Sequence, residues 1–297
     1  PKERPEGKRS IAFFTALAPE RWGPDSLKTG IGGSEQAVIY MSEQFARLGW
    51  HVEVYAYTTL RAERNGVHWY PFHQWTGERD SQLDVAVFWR GPRDPIQHGV
   101  NAKRTYLWLH DIPIHEHWRD GLWNFYDKVI VLSEYHRKLF DFIPDDRIFI
   151  SRNGIDLEND LGHDLVECDP HRLVWGSCPT RGLQELLPMW PVIRDAVPGA
   201  EIDIYYGWTP MTLVNARSNP GLQAVMNKIN ELRDQDGVNW HGRVGNRELA
   251  TAHARAGIWA YPTKFPEIHC ITALKAQALG AWPIVTDDFA LSETVQY

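Results

Sequence analysis

Short apolar runs alternate along the whole chain with amphipathic segments that keep helical spacing. The runs that predict strands are 10–15, 51–57, 67–72, 84–89, 104–109, 128–132, 148–150, 172–176, 201–206, 238–242, 258–262 and 282–286. The segments that predict helices are 34–48, 134–140, 183–193, 222–232, 246–256 and 271–279. Parallel strands need crossover connections, so this alternation predicts an α/β protein with two doubly wound parallel sheets.

A change in composition divides the pattern into two halves. The first nine residues are charged and predict a solvated leader, and the segment 157–170 is acidic and loop-like. We therefore predict one domain at 10–165 and a second at 166–297. A chain of 297 residues suits two domains of about 150 residues each.

Composition narrows the class of protein. The net charge of −7 argues against a general nucleic-acid binder, although it leaves a local basic patch open. The cysteines Cys168, Cys178 and Cys270 form no Cys-x-x-Cys pair, which favours a reducing compartment without a disulfide framework. No run approaches the ~18 apolar residues of a membrane span, and the charged leader lacks the apolar centre of a signal peptide. We therefore expect a cytoplasmic protein without a membrane span.

The stretch 264–280 holds the strongest candidate chemistry in the second half. A predicted strand leads into it, and an Ala/Leu-rich predicted helix ends it at Gly280. A helix start offers unpaired N–H groups and partial positive charge to an anion. Here those groups belong to Ile268, His269 and Cys270, with Glu267 just ahead of them. Two interpretations stay open: a site for a ligand with phosphate and hydroxyl groups, or an ordinary acidic residue at a helix start.

Two loops of the first half also follow predicted strands. Gly32-Gly33 precedes a predicted helix and would let a ligand approach the backbone closely. His110-Asp111 ends another strand, and His110 is either a substrate-facing group or a structural histidine. Nearby His115 and His117 invite a metal assignment, which Pro113 disfavours because it prevents a regular helix. Trp118 either lines an acceptor site or packs in the core.

Taken in chain order, the motifs resemble the large family of retaining glycosyltransferases with the GT-B fold, often called family 4. The matching segments are 32–35, 153–156, 176–182, 241–244, 262–275 and 280–286. The resemblance implies two Rossmann-like domains facing a central cleft, the first on the acceptor side and the second binding a nucleotide sugar. Proteins of this fold generally close with a helix that returns to the first domain, and the pattern up to Tyr297 predicts none. Two interpretations stay open: the sequence is truncated, or the closing element is absent.

The same resemblance implies roles for individual residues of the second half. Glu267 matches the first member of an acidic pair and would contact the transferred sugar. The second position is Lys275, a departure, because an ammonium group cannot accept hydrogen bonds from ribose hydroxyls. Arg181 matches a basic residue set against the donor diphosphate, and Ser177 stands where many members have a second arginine. Lys264 or Lys275 would then supply the missing charge.

The remaining implied contacts complete the site. Arg243 and Val244 match the loop that touches the base through its backbone. His110 resembles a first-domain histidine that reaches the transferred sugar, and Gly33 a loop glycine that closes over the phosphates. Asp111 and Trp118 would lie on the acceptor side.

The function implied by the resemblance is transfer of a sugar, with retention and without a metal, from a nucleoside-diphosphate sugar. The donor would be UDP- or GDP-linked, the acceptor a glycan, a lipid or a small molecule, and no cofactor is needed. Three alternatives stay open: a nucleotide-sugar epimerase, a degenerate binding module disabled by Lys275, and a transferase acting on nucleic-acid bases.

Overall fold

Two parallel sheets form the framework of the protein. The structure is a computed structural model that describes residues 7–15, 18–75, 82–91, 99–113, 118, 121–162 and 164–296. Contacts divide the chain into unit 1, residues 1–25 and 32–153, and unit 2, residues 26–31 and 154–297.

Unit 1 is built on a sheet of eight strands in the order β3-β4-β2-β1-β5-β6-β7-β8. The strands are β1 (Ser10–Thr15), β2 (His51–Ala56), β3 (Ala62–Arg64), β4 (Val67–Pro71), β5 (Leu83–Trp89), β6 (Ala102–Trp108), β7 (Lys128–Val131) and β8 (Ile148–Ile150). Among the strands that the structure describes in this unit, the edge strand β3 alone runs antiparallel to its neighbour. The central strand β1 is buried along its whole length, as its unbroken apolar run predicts for a sheet covered on both faces.

Two described helices of unit 1 follow strand ends. Helix α1 (Gly33–Arg47) begins after Gly32 and is followed by Gly49, which has a φ of +85°. Helix α2 (Glu134–Lys138) begins at Ser133, whose side chain accepts a hydrogen bond from the His136 amide. Both starts agree with the predicted positions, because glycine and serine satisfy the special needs of helix ends.

Unit 2 is built on a wholly parallel sheet of five strands in the order β11-β10-β9-β12-β13. The strands are β9 (Asp169–Trp175), β10 (Glu201–Tyr205), β11 (Val238–Gly242), β12 (Ala256–Tyr261) and β13 (Trp282–Val285). The described helices are α3 (Leu183–Leu186), α4 (Trp190–Ala196), α5 (Pro210–Ser218), α6 (Pro220–Leu232), α7 (Asn246–Arg255), α8 (Ile271–Ala278) and α9 (Leu291–Thr294). The predicted parallel α/β architecture is therefore present in both units.

The boundary between the units differs from the predicted one. Contacts divide the chain after Asn153, whereas the acidic composition placed the division after 165. The reason is that the acidic segment packs on unit 2, where Asp160 accepts hydrogen bonds from Asn246 at 3.0 Å and binds Lys275 at 2.7 Å. We call residues 154–162 the connector. In the part of the chain that the structure describes, no helix is both long and apolar enough to cross a membrane.

Candidate functional site

The carboxyl ends of β9 and β12 place two predicted motifs of unit 2 next to each other. These strands are neighbours in the sheet, so the turn after β9 and the loop after β12 leave from the same edge. In the turn after β9, Gly182 has a φ of +138°, and a Cβ at this position would meet the Pro262 carbonyl oxygen at 2.4 Å. Only glycine fits this close approach, which brings Arg181 to the loop of Glu267.

Glu267 is buried and held by two donors on one carboxylate oxygen. The Tyr261 hydroxyl donates to Oε1 at 2.6 Å, and the Arg181 guanidinium donates to the same atom at 3.1 Å. No described residue bonds the second oxygen, Oε2. The carboxylate is thus fixed in place and keeps one oxygen that can accept a hydrogen bond from a ligand hydroxyl.

The backbone on both sides of Glu267 is also fixed. Its amide donates to the Phe265 carbonyl at 2.8 Å, and its own carbonyl accepts from the Ala290 amide at 3.0 Å. The Arg181 guanidinium makes a cation–π contact with Phe265, in which the guanidinium carbon lies 3.9 Å from the centre of the Phe265 ring. Although burial acts against its charge, Glu267 raises the pKa of Arg181, so Arg181 is a permanent cation.

Helix α8 starts directly after this loop. Cys270 is its N-cap residue, so the unpaired amides of the helix start begin at Cys270, whereas Ile268 and His269, which the sequence also assigned to it, lie in the loop before the helix. His269 and Cys270 are buried while Lys264 is exposed. Burial raises the pKa of the Cys270 thiol, so it stays neutral. The helix start, Arg181 and Lys264 together bring positive charge to one edge of unit 2.

The Arg243–Val244 loop packs against a segment from early in the chain. A Cβ at Gly30 would meet the Val244 carbonyl oxygen at 2.5 Å, and a Cβ at Gly245 would meet the Lys28 carbonyl oxygen at 2.3 Å. The segment Ser26–Ile31 therefore belongs to unit 2, which the order of residues along the chain does not indicate. Arg243 also lies over the Tyr206 ring at 5.4 Å.

Lys275 is buried and faces the connector. Its ammonium group lies 2.7 Å from the Asp160 carboxylate, which is itself completely buried. Burial lowers the pKa of Lys275, and the Asp160 charge opposes that effect. The charge expected for the diphosphate is thus already balanced inside unit 2. Ser177, by contrast, lies in the turn after β9, where its carbonyl accepts from the Trp175 indole at 2.8 Å.

In unit 1, His110 lies just beyond the carboxyl end of β6. It is about nine-tenths buried, packs edge-on against Trp108 at 4.5 Å, and its Nε2 has no partner among the described residues. Burial first, and then the charge of Arg90, hold the pKa of His110 well below its usual range, so the ring is neutral at pH 7. Buried polar atoms without a partner are rare in folded proteins, so this nitrogen is a candidate ligand contact.

Arg90 joins His110's neighbour Asp111 to the start of α1. Its guanidinium donates to Ser34 at 2.7 Å and to Glu35 at 3.2 Å, and it forms an ion pair of 2.8 Å with Asp111. We call these four residues the Arg90 clasp. A Cβ at Gly32 would meet Glu35 Oε2 at 2.4 Å, so the Glu35 carboxylate lies against the turn in which Gly33 was expected to meet phosphate.

The other predicted residues of unit 1 take different places. Trp118 is buried in the core of unit 1 and packs edge-on against Phe140 at 5.4 Å. His115 and His117 lie outside the described residues. Among the residues that the structure does describe, no three His, Cys, Asp or Glu side chains are placed to hold a metal ion.

Sequence reasoning missed three residues that the structure brings to these sites. Tyr261 was assigned only to a buried strand, and neither Arg90 nor Asp160 was singled out. Arg90 follows a predicted strand end, which is the one signal that would have marked it. Nothing local marks Tyr261 or Asp160, because each acts through a partner that folding brings to it.

Comparisons with known proteins identify the fold. No protein-family model matches the chain, and no curated protein matches it by sequence. Sucrose-phosphate synthase from Thermosynechococcus elongatus is similar in structure, with a TM-score of 0.73, 14% identity, and coverage of 97% of this chain and 84% of that one.

Two further structures agree. Anabaena HepE in complex with UDP-glucose has a TM-score of 0.64 at 13% identity, covering 97% of this chain and 83% of that one. WaaG, a glycosyltransferase involved in lipopolysaccharide biosynthesis, has a TM-score of 0.60 at 13% identity, covering 95% and 82%. The predicted GT-B fold is therefore confirmed.

Proposed function

We propose that this protein is a glycosyltransferase that moves a sugar from a UDP-linked donor to an acceptor hydroxyl with retention of configuration. The observation that carries the proposal is Glu267, fixed through Oε1 by Tyr261 and Arg181 with Oε2 left for a ligand. A buried carboxylate with one open oxygen suits sugar hydroxyls, and the cations beside it suit a diphosphate.

The donor would bind to unit 2. Arg181, Lys264 and the start of α8 supply the positive charge for the diphosphate. The amides of Ile268 and His269 in the loop before the helix, and of Cys270 at its N-cap, would donate to the same group, and Ser177 lies in the same turn as Arg181. Arg243 and Val244 would contact the base. Because protein groups carry the leaving-group charge, we propose that the reaction needs no divalent cation.

The proposed step balances as a group transfer. The bond between the anomeric carbon and the diphosphate oxygen breaks, and UDP leaves with the electron pair. The acceptor oxygen bonds to the anomeric carbon from the same face, and its proton passes to the departing phosphate oxygen. Glu267 Oε2 would accept from a sugar hydroxyl and orient the ring, and in unit 1 His110 and Asp111 would bind substrate hydroxyls.

Two findings support this assignment. Arg181 and Glu267, two of the residues that resemble family 4, are in contact beyond the carboxyl ends of the neighbouring strands β9 and β12, the kind of place where ligands of parallel α/β sheets bind. HepE, which shares the fold, was crystallised with UDP and glucose and with UDP-glucose. UDP-glucose is therefore the first donor to test.

The proposal is tested by calorimetry followed by turnover. We expect UDP to bind, and Glu267→Gln to lower kcat/KM for transfer from UDP-glucose at least about 100-fold while UDP affinity changes little, because the amide keeps the shape but loses the charge. Glu231→Ala, at an exposed position of α6, is the control and should be unaffected. Activity should also survive EDTA.

Two results would contradict the proposal. Failure of UDP, GDP and ADP to bind would exclude a nucleotide-sugar site. Binding of UDP-glucose without transfer to any acceptor or to water would instead identify a degenerate binding module.

A further inference from the structure

The Arg90 clasp is a hydrogen-bonded network at the carboxyl end of the unit 1 sheet. Arg90 Nη1 donates to Glu35 Oε1, Nη2 donates to Ser34 Oγ, and the Ser34 hydroxyl donates back to Glu35 Oε2 at 3.0 Å. Asp111 completes the network by its ion pair with Arg90 Nε. One side chain thus connects the end of β5, the start of α1 and the end of β6.

The backbone of Arg90 has an unfavourable conformation that the contacts of its side chain hold in place. Its φ is +68°, in the left-handed region that residues with a Cβ rarely adopt, and its guanidinium lies 4.2 Å over the Trp89 ring. Such a conformation is strained and persists only where the surroundings fix it. The contacts of the clasp with Ser34, Glu35 and Asp111 supply that fixing.

Charge at the clasp disfavours anions. One cation, Arg90, lies between two carboxylates, Glu35 and Asp111, so the sum over these described residues is −1, and His110 beside them is neutral. Glu35 also occupies the first turn of α1, the position from which a helix start would otherwise attract a phosphate. A phosphate brought here would meet carboxylate charge at both ends of the guanidinium.

Hydrogen-bonding capacity at the clasp fits hydroxyl groups. Asp111 is half exposed, and no described residue bonds its Oδ1. The independent second observation is His110, about nine-tenths buried, whose Nε2 has no partner among the described residues. A carboxylate oxygen and an imidazole nitrogen on adjacent residues can bind neighbouring hydroxyls of a polyol.

We propose that the Arg90 clasp and His110 form a subsite for an uncharged polyol acceptor, and that Arg90 determines specificity by holding two carboxylates where a phosphorylated acceptor would be repelled. This inference rests on the proposed glycosyl transfer and names the class of its acceptor.

Matched acceptor pairs test the inference. The donor is UDP-glucose labelled in its glucosyl group, and the pairs are glycerol with glycerol 3-phosphate, glucose with glucose 6-phosphate, and fructose with fructose 6-phosphate. In every pair that is turned over, we expect kcat/KM to be at least about tenfold higher for the neutral member, because like charges brought together oppose binding. A preference for the phosphorylated member would overturn the inference.

Two variants test whether the preference for neutral acceptors comes from the Arg90 clasp. Asp111→Asn removes a half-exposed carboxylate, so the fold should survive. We expect this variant to lower kcat/KM for the neutral member of each pair. We also expect the ratio of kcat/KM for the neutral member to that for the phosphorylated member to fall about tenfold. The control Arg104→Gln breaks an exposed pair with Asp127 on the same strand β6, at the end away from His110, and should leave the ratio unchanged. An unchanged ratio in Asp111→Asn would overturn the inference.

A binding measurement covers the case in which no pair is turned over. Saturation-transfer NMR with the same pairs at millimolar concentration should show contact with neutral members that Asp111→Asn weakens. Contact with phosphorylated members only, or with none, would overturn the inference. Calorimetry with UDP reports separately on unit 2, so the acceptor subsite can fail while the proposed donor site stands.

Discussion

At the scale of single residues, the geometry of Glu267 depends on Tyr261. The tyrosine hydroxyl donates at 2.6 Å to the oxygen that Arg181 also contacts, and both tyrosine and glutamate are buried. Burial first, and then the Glu267 charge, raise the pKa of Tyr261 well above its usual value, so its proton stays in the hydrogen bond. Tyr261 is therefore a positioning residue that, together with Arg181, fixes the Glu267 carboxylate through Oε1.

Tyr261→Phe removes one hydroxyl and keeps the ring. A hydrogen bond to a charged group contributes about 1.5–3 kcal/mol, so we expect kcat/KM for transfer from UDP-glucose to fall at least about tenfold. UDP affinity should change less than about twofold, because Arg181 and the start of α8 remain. Steady-state kinetics with calorimetry checks both values.

The control for this prediction is Tyr205→Phe. Tyr205 is also buried in unit 2, and its hydroxyl makes no hydrogen bond to the described residues while its ring stacks on His241 at 4.6 Å. It should retain full activity. Equal kcat/KM in Tyr261→Phe and the unmodified protein would remove Tyr261 from the site.

Residue identities near the site were predictable only in part. Glu267 and Arg181 stand in motifs with fixed spacing, so the sequence marks both, and the structure places them in contact. Tyr261 has the same apolar neighbours as any buried strand residue, and its role exists only because the loop after β12 turns Glu267 back to it. The role of Lys275 was left open, because its partner Asp160 lies far away in sequence.

At the scale of elements, proline residues explain why one helix predicted from apolar periodicity is interrupted. The apolar positions between 183 and 193 predict one helix, yet the chain forms α3, a 3-10 turn at Leu187–Met189 and α4. Pro188 and Pro191 lack the N–H groups that a continuous helix needs. The edge strand β3 and helix α5 were missed, because three residues are too few for a pattern and α5 has no apolar stripe.

The connector is fastened to α8 by the buried Lys275–Asp160 pair. Asp160 also accepts from the Asp156 amide at 2.9 Å, so its carboxylate organises the connector itself. Removing one member of such a pair leaves a buried charge without its counterion. The pair therefore makes the stability of unit 2 depend on the connector.

Lys275→Met should lower the free energy of unfolding of unit 2 by about 3–5 kcal/mol, as breaking a buried pair does. The double variant Lys275→Met, Asp160→Asn should recover much of that loss, because no net charge stays buried. Guanidinium denaturation curves of both variants check this.

Arg247→Gln is the matched control, since it breaks an exposed pair with Asp164 in the same unit and should leave the midpoint unchanged. Additive losses in the single and double variants would show that Lys275 and Asp160 are not coupled.

At the scale of the whole molecule, buried neutral histidines set the response to acid. Burial lowers the pKa of His136 in unit 1 to about 4 and that of His253 in unit 2 to about 4. His136 accepts from the Leu132 amide and donates to the Asp111 carbonyl at 3.1 Å, and His253 donates to the Leu249 carbonyl at 2.8 Å. Each ring is thus held in its neutral form.

These shifts fix the direction of the pH dependence. Between about pH 6.5 and 4 the unfolded chain binds protons that the folded rings do not, so stability is full above about 6.5 and falls as pH falls towards 4. Each histidine contributes up to about 1.4 kcal/mol per pH unit in this window. Asp84, Asp127 and Asp203 have lowered pKa values, so their contributions are lost only at more acidic pH.

Denaturation series between pH 8 and pH 4 check this prediction. His253→Gln should flatten the pH dependence of unit 2, whereas His171→Gln, at an exposed position of the same unit, should leave it unchanged. Stability that stays level down to pH 5 would show that the buried rings titrate normally.

The architecture was the most predictable level. Alternation of apolar runs and amphipathic segments requires only local patterns, and it placed the parallel strands of both sheets close to their observed ends. The assignment of Ser26–Ile31 to unit 2 could not be predicted, because it depends on contacts with residues more than two hundred positions away.

Because unit 2 consists of two separate segments, 26–31 and 154–297, it cannot be exchanged between relatives as one continuous piece. A chimera that joins residues 1–153 of one relative to 154–297 of another would pair Gly30 and Lys28 of the first parent with Val244 and Gly245 of the second. A Cβ at position 30 or 245 would meet a carbonyl oxygen within 2.5 Å, so a mismatch at either glycine disturbs the packing. Recombination at the connector alone therefore transfers an incomplete module, and viable exchanges have to carry 26–31 together with 154–297.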